Sequence, residues 1–217
     1  MTHAALDTGS PVTSVALARG EEILAARDEW GRLASERVLA LLDDACREAG
    51  VTARDLEGLV ALRGPGSFTG LRIGLATALG VFQAVGVPVT ALSTLEVLAA
   101  SVGPNEGPVL AVVDALRGEW SLQTFTCHAG LPEPVDEPRL VRPDDLPRSG
   151  RGVLVGFGVE SLAEALAGSG IEVREAPPLA PVAARLAARL APRWDPALLT
   201  RPLYARPPAV ERPGSAP

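Results

Sequence analysis

The first residues with chemical potential are Asp7-Thr8-Gly9-Ser10, a lone carboxylate among small hydroxyl residues. A tight turn of this composition can offer backbone N–H groups and hydroxyls to a phosphate while Asp7 holds a hydrated magnesium ion. The same residues suit a plain hairpin turn in which Asp7 and Thr8 satisfy their own backbone. A second carboxylate, Asp114, ends another apolar run and is followed by Arg117, Gly118, Glu119 and Trp120. Two carboxylates there can do acid–base work, or they can cap the turn and pair with Arg117. Asp7, Thr8, Gly9, Ser10 and Asp114 are the candidate nucleotide-binding residues, and no spacing singles out a catalytic group.

The stretch Gly64-Pro65-Gly66-Ser67-Phe68-Thr69-Gly70 packs three glycines, a proline and two hydroxyls into seven positions. Ahead of a helix, such a loop can hold an anion on the helix dipole. It can equally be a constrained turn capped by Ser67 or Thr69. It is not a Walker-type phosphate loop, because all 20 basic residues are arginine and that loop needs a lysine. The missing lysine also excludes pyridoxal phosphate, aldolase and protein kinase chemistry.

Between positions 71 and 85 only Arg72, Thr77 and Gln83 are polar, and small residues recur at Gly70, Gly74 and Ala78 and at Ala76, Gly80 and Ala84. A helix apolar on all sides packs on two of them. Small residues four apart let a second helix come close, and about 15 residues are too few to span a bilayer. The outer cover is either the same lobe or another subunit. The helix expected over residues 35–49 has an apolar face widened by Leu39 and Cys46, which suits it to the same interface. The candidate contact residues are Val38, Leu39, Leu42 and Cys46 on the first helix. Leu71, Gly74, Leu75, Ala78 and Phe82 are those on the second. A charge at Gly74 or Ala78 is expected to weaken association while the lobe still folds.

These elements fall into a repeated order. Strands are expected at residues 3–6, 12–17 and 22–27, then a helix at 35–49, a strand at 58–62, a helix at 70–85, a strand at 88–92 and a helix opened by a Ser93–Glu96 capping box. The second half starts over with strands at 109–113, 119–127 and 138–141. A strand at 153–156, a helix at 160–167, a strand at 171–173 and a helix at 181–191 follow. Two such units describe an α/β fold of two ribonuclease-H-like lobes, residues 1–105 and 106–205, as in the actin, hexokinase and chaperone ATPase superfamily. Residues 206–217 read as an unfolded proline-rich tail.

With 217 residues and 47% hydrophobic content the chain can bury a full core. Its net charge of -6 has the wrong sign for holding nucleic acid unaided. His3, His128, Cys46 and Cys127 are too few and scattered for a zinc site, so no metal is expected. Cys127 and His128, neighbours on a strand, point to opposite faces. Without a signal segment, a membrane-length apolar run or a disulfide framework, the cytoplasm is the expected location.

Asp7-Thr8-Gly9-Ser10 with Ser14-Val15-Ala16-Leu17, Arg63-Gly64-Pro65-Gly66-Ser67-Phe68-Thr69-Gly70-Leu71-Arg72-Ile73-Gly74 and Ser93-Thr94-Leu95 strongly resemble the TsaB family, which serves in making threonylcarbamoyladenosine on tRNA. The likeness runs more weakly through Asp114-Ala115-Leu116-Arg117-Gly118-Glu119, Gly156-Phe157-Gly158 and Pro202-Leu203-Tyr204-Ala205-Arg206. The catalytic sister family TsaD carries a metal-binding His-x-x-x-His on the first helix, where this chain has Leu33, Ala34, Arg37 and Val38. TsaB proteins often keep one histidine there, and Ala34 departs from that as well.

The resemblance implies a subunit that is not an enzyme by itself. It implies pairing with a TsaD-type paralogue through the two N-lobe helices, recruitment of a TsaE-type ATPase and self-association through the same surface. It further implies that tRNA is met only indirectly, that no cofactor is bound tightly, and that ATP and magnesium act within the complex. Two other classes are an actin-like nucleotide-binding protein or small-molecule kinase, and a metallopeptidase. The plain turn at Asp114 opposes the first and the missing ligands oppose the second.

Overall fold

The computed structural model describes residues 1–31, 34–190 and 194–206. The alternating start of the chain forms the antiparallel strands β1 (Thr2–Asp7), β2 (Val12–Arg19) and β3 (Glu22–Trp30). Asp7 pairs with Ser14, and a bulge between Leu17 and Ala18 shifts the β2–β3 register. β4 (Gly58–Leu62) lies parallel to β1 and β5 (Val89–Leu92) parallel to β4, giving the order β3-β2-β1-β4-β5.

The second sheet repeats this plan. β6 (Val109–Asp114) and β7 (Trp120–His128) form a hairpin, β8 (Leu131–Pro134) and β9 (Arg139–Val141) both pair with β7, and β10 (Gly152–Gly156) and β11 (Ile171–Glu175) add in parallel beyond β6.

The helices are α1 (Val38–Glu48), α2 (Phe68–Val85), α3 (Thr94–Ser101), α4 (Glu160–Ala163) and α5 (Leu179–Leu190). The period of two divides each strand between two cores. Ala4 and Leu6 of β1 face α1 and α2, together with Leu41, Leu42, Leu75 and Ala78. Ala5 faces the other way, toward α3 and α5, which lie between the sheets and also meet Val109, Ala111 and Phe125 of the second. Leu110, Val112 and Leu154 turn to the far side, onto Leu162 of α4. Ala5, Ala16, Ala180 and Ala184 keep the central layer thin, so α5 sits close against β1 and β2.

After α5 the chain returns to the first sheet. Trp194 covers Gly58, where any Cβ would collide with the indole. A 3₁₀ turn, Pro196–Thr200, capped by Asp195, buries Leu199 against β5 and α2. Residues 194–205, counted from the sequence with the second lobe, thus pack on the first.

Several local expectations need correction. The first turn of the 35–49 helix is 3₁₀ (Ala34–Arg37), and among the described residues no side chain caps the start of α1. α2 begins two residues early, because the Ser67 hydroxyl accepts from Gly70 N at 3.3 Å. The Ser93–Glu96 box is half formed: Glu96 accepts from the Ser93 N–H, while the Ser93 hydroxyl turns to Gly64 O at 3.5 Å. β8 was not expected at all, since Pro132 and Pro134 disguise it as loop. The 160–167 helix stops regular winding at Ala163, and α5 starts at Leu179, with Pro181 in its first turn. Leu33, Ala191 and residues 207–217, which include nearly all of the proposed tail, lie outside the described residues.

Candidate functional site

β1 delivers Asp7 to the end of the first sheet with no exposed surface. One carboxylate oxygen, Oδ1, accepts from Gly9 N at 3.0 Å and Ser10 N at 3.2 Å. These are the N–H groups a phosphate would need, and they are already engaged. The other oxygen, Oδ2, is buried without a partner among the described residues. Burial pushes the Asp7 carboxyl up to about 6, and hydrogen bonding from Ser10 and Gly9 offsets only part of that.

The glycine-rich loop is spent on the same hairpin. Ser67 N donates to Gly9 O at 2.8 Å, and the Thr8 hydroxyl donates to Gly70 O at 2.7 Å. A Cβ at Gly66 would lie 2.6 Å from Gly9 O, and Cβ atoms at Gly70 and Gly74 would run into Thr8. Gly64-Pro65-Gly66-Ser67-Phe68-Thr69-Gly70 is therefore a backbone-to-backbone clamp between α2 and the Asp7 turn. Asp114, in contrast, is exposed, and its Oδ1 accepts from Leu116 N at 2.7 Å. Trp120 beside it packs on the lobe, 8% exposed. In both turns amides of the hairpin, those of Gly9, Ser10 and Leu116, bind the carboxylate that ends the strand.

No group of three histidine, cysteine or acidic residues able to hold an ion occurs among the described residues. His3 is buried under α5, its Nε2 2.8 Å from Ala184 O. Cys127 is buried and its neighbour His128 exposed, as their opposite faces require.

α2 carries the second candidate surface. Its inner face, Gly70, Leu71, Gly74, Leu75 and Ala78, is buried in its own lobe. Val38, Leu42 and Cys46 of α1 are buried too. Seven of the nine expected contact residues therefore serve the chain's own core, leaving Leu39, 57% exposed, and the half-buried Phe82. A charge at Gly74 or Ala78 would attack the lobe itself, which corrects the earlier expectation. The helix carries two seams of small residues, and composition alone does not say which one faces inward. The open seam is Ala76, Gly80 and Ala84, all exposed.

At 18 residues α2 is longer than expected, and among the described residues it is the one helix long and apolar enough to cross a membrane. Length alone therefore does not exclude a span. Its capped N-terminus and buried inner face mark it as a lobe helix instead.

Sequence reasoning missed one further cluster. The Tyr204 ring packs on Phe68 with centroids 5.0 Å apart, Arg72 lies 3.8 Å over Phe68, and Arg206 reaches Glu119. The short fragment around Pro202 carries no local signal for contacts so distant in sequence.

Residues 29–128 match the family model of the tRNA N6-adenosine threonylcarbamoyltransferase TsaD. Over 187 residues the chain is 32% identical to the tRNA threonylcarbamoyladenosine biosynthesis protein TsaB of Escherichia coli K12, covering 82% of this chain and 81% of that protein. YeaZ from Pseudomonas aeruginosa superimposes with a TM-score of 0.75 at 26% identity, covering 88% of this chain and 91% of its own. The ROK hexokinase of Thermus thermophilus shares the fold alone, with a TM-score of 0.50 at 15% identity over 88% of this chain and 99% of that one. The two-sheet fold is thus shared with that hexokinase, and the likeness to the Escherichia coli protein over most of both chains shows that this chain belongs to the TsaB family of tRNA threonylcarbamoyladenosine biosynthesis proteins.

Proposed function

We propose that the chain is the non-catalytic scaffold of the threonylcarbamoyladenosine machinery, pairing with a TsaD-type catalytic paralogue through the outer face of α2 and the adjoining Leu39. The pair recruits a TsaE-type ATPase, so ATP and magnesium enter with the partners and tRNA is held by them. In the absence of the paralogue the same face closes a homodimer. The work is done in the cytoplasm.

One observation carries this reading. Gly74 and Gly80 lie on the same helix, yet a Cβ at Gly74 collides with Thr8, whereas at Gly80 nothing among the described residues lies within 4 Å. Glycine in mid-helix costs roughly 1 kcal/mol against alanine, and among the described residues nothing at Gly80 offsets it. Flanked by Ala76 and Ala84, Gly80 lets a helix from another polypeptide approach backbone to backbone. The match of residues 29–128 to the TsaD family model supports a paralogue of like build on the other side.

The test is co-purification of the chain with its TsaD-type paralogue, with and without ATP, for the wild type and for Gly80→Arg. A charge forced into a desolvated interface costs several kcal/mol, so pairing should weaken roughly 100-fold or more, while the chain diluted to a monomer keeps its circular dichroism spectrum and melts no lower than the wild type. Pairing of Gly80→Arg at wild-type strength would overturn the reading.

A further inference from the structure

Residues Pro202 to Arg206 touch three separated parts of the molecule in five positions. Leu203 N donates to Arg63 O at 2.6 Å, at the exit of β4. Gly64 is kept bare beneath it, since a Cβ there would meet the Leu203 carbonyl. Tyr204 packs on Phe68 and its hydroxyl accepts from Arg72 Nε at 3.3 Å, both in the first turns of α2. Arg206 then crosses to the other lobe, donating to Leu116 O at 3.1 Å and to the Glu119 carboxylate.

The turn it grips is unusual. Leu116 and Arg117 are non-glycine residues at φ 64° and 59°, followed by Gly118 at 74°. Left-handed backbone at side-chain-bearing residues persists where surrounding contacts over-determine it. Here Asp114 holds the Leu116 amide and Arg206 the Leu116 carbonyl. Glu119 also receives Arg142, but at 3.7 Å from a far more exposed guanidinium.

We propose that residues 202–206 are an interlobe strap. It fixes the angle between the two sheets by tying the β4–α2 loop and the start of α2 to the β6–β7 turn. The shared core around α3 and α5 joins the lobes at depth, and the strap joins them at the surface. A hinge motion that opened one lobe from the other would have to break the Arg206 contacts first. The face of α2 is then presented by one rigid body, with its first turns held by the same segment that grips the second lobe.

Hydrogen exchange on the full chain alone tests this, and the outcome does not depend on what covers α2. Arg206→Ala removes the charge-assisted bonds to the turn. The amides of Ala115, Glu119 and Leu203 should then exchange about tenfold faster, with strand amides of both sheets unchanged. Glu119→Gln, which keeps the shape, should reproduce part of the effect in the same three amides. Arg142→Ala should leave them as they are. Three results would overturn the strap: Arg206→Ala matching Arg142→Ala, a faster turn with Leu203 unaffected, or uniform acceleration through both cores.

Discussion

The hydroxyl of Thr8 occupies the space that a side chain on Gly74 would need, and it is fixed there by its hydrogen bond to Gly70 O. Thr8 is 4% exposed, so it has nowhere to retreat. Gly74→Ala should therefore destabilise the chain by about 1–3 kcal/mol through overpacking, despite the better helix propensity of alanine. Urea unfolding would show it as a lowered midpoint. Thr8→Ala in the same background should return part of the loss, because the hydroxyl is the nearest atom; additive effects in the double-mutant cycle would sink the explanation.

Gly80→Ala has the opposite sign. With open space around the site in a single chain, alanine gains helix propensity and restricts the unfolded chain, so the protein diluted to a monomer should be more stable by up to about 1 kcal/mol. Opposite midpoint shifts for alanine at positions 74 and 80 would show that the two glycines answer to different neighbours.

Asp7 imposes a pH dependence. Burial raises its carboxyl from 3.8 to about 6, so the folded chain holds this proton more tightly than the unfolded chain does. Its contribution is full below about pH 4, falls as the pH climbs toward 6 and is lost above that, a change of roughly 3 kcal/mol. Asp7→Asn keeps an oxygen for Gly9 and Ser10 but cannot ionise. The stability of the wild type relative to this variant should fall by about 2–3 kcal/mol between pH 4 and pH 7. A difference that does not vary with pH would mean that Asp7 is ionised throughout.

Ser67 caps α2 through Gly70 N, and Ser67→Ala should cost about 1 kcal/mol. Since Ser67 N also binds Gly9 O through the backbone, the clamp itself should survive, and the loss should appear in thermal melts without a change in the near-ultraviolet spectrum.

α3 and α5 lend their apolar faces to both sheets at once, so the lobes share one core. Calorimetry should show one cooperative transition with equal calorimetric and van't Hoff enthalpies. Two separable transitions would mean that the central layer belongs to one sheet only.

The strands of the first sheet were legible because β1, β2 and β4 are short apolar runs bounded by turn residues, and Asp7 and Asp114 flagged the repeat by ending equivalent strands. β8 was hidden because its two prolines read as loop. At the candidate site, the glycine clamp and α2 were visible as unusual, but not the direction each glycine faces. Gly74 and Gly80 differ only in what stands opposite them, Thr8 or open space, and no period encodes that. The strap was beyond local reading altogether, since Arg72 meets Tyr204 across 132 positions and Glu119 meets Arg206 across 87.

Pro132 and Pro134 sit on β8, at the rim of the second sheet, opposite Cys127 and Phe125. Neither has an N–H to give to an incoming strand, so that rim is a poor template for edge-to-edge polymerisation. β3, at an edge of the first sheet, carries Glu22, Arg27, Asp28 and Glu29, charges that resist the same growth. The outer face of α2, with Ala76, Gly80 and Ala84 exposed, brings a hazard of clumping, and these two guarded rims steer such stickiness away from fibres.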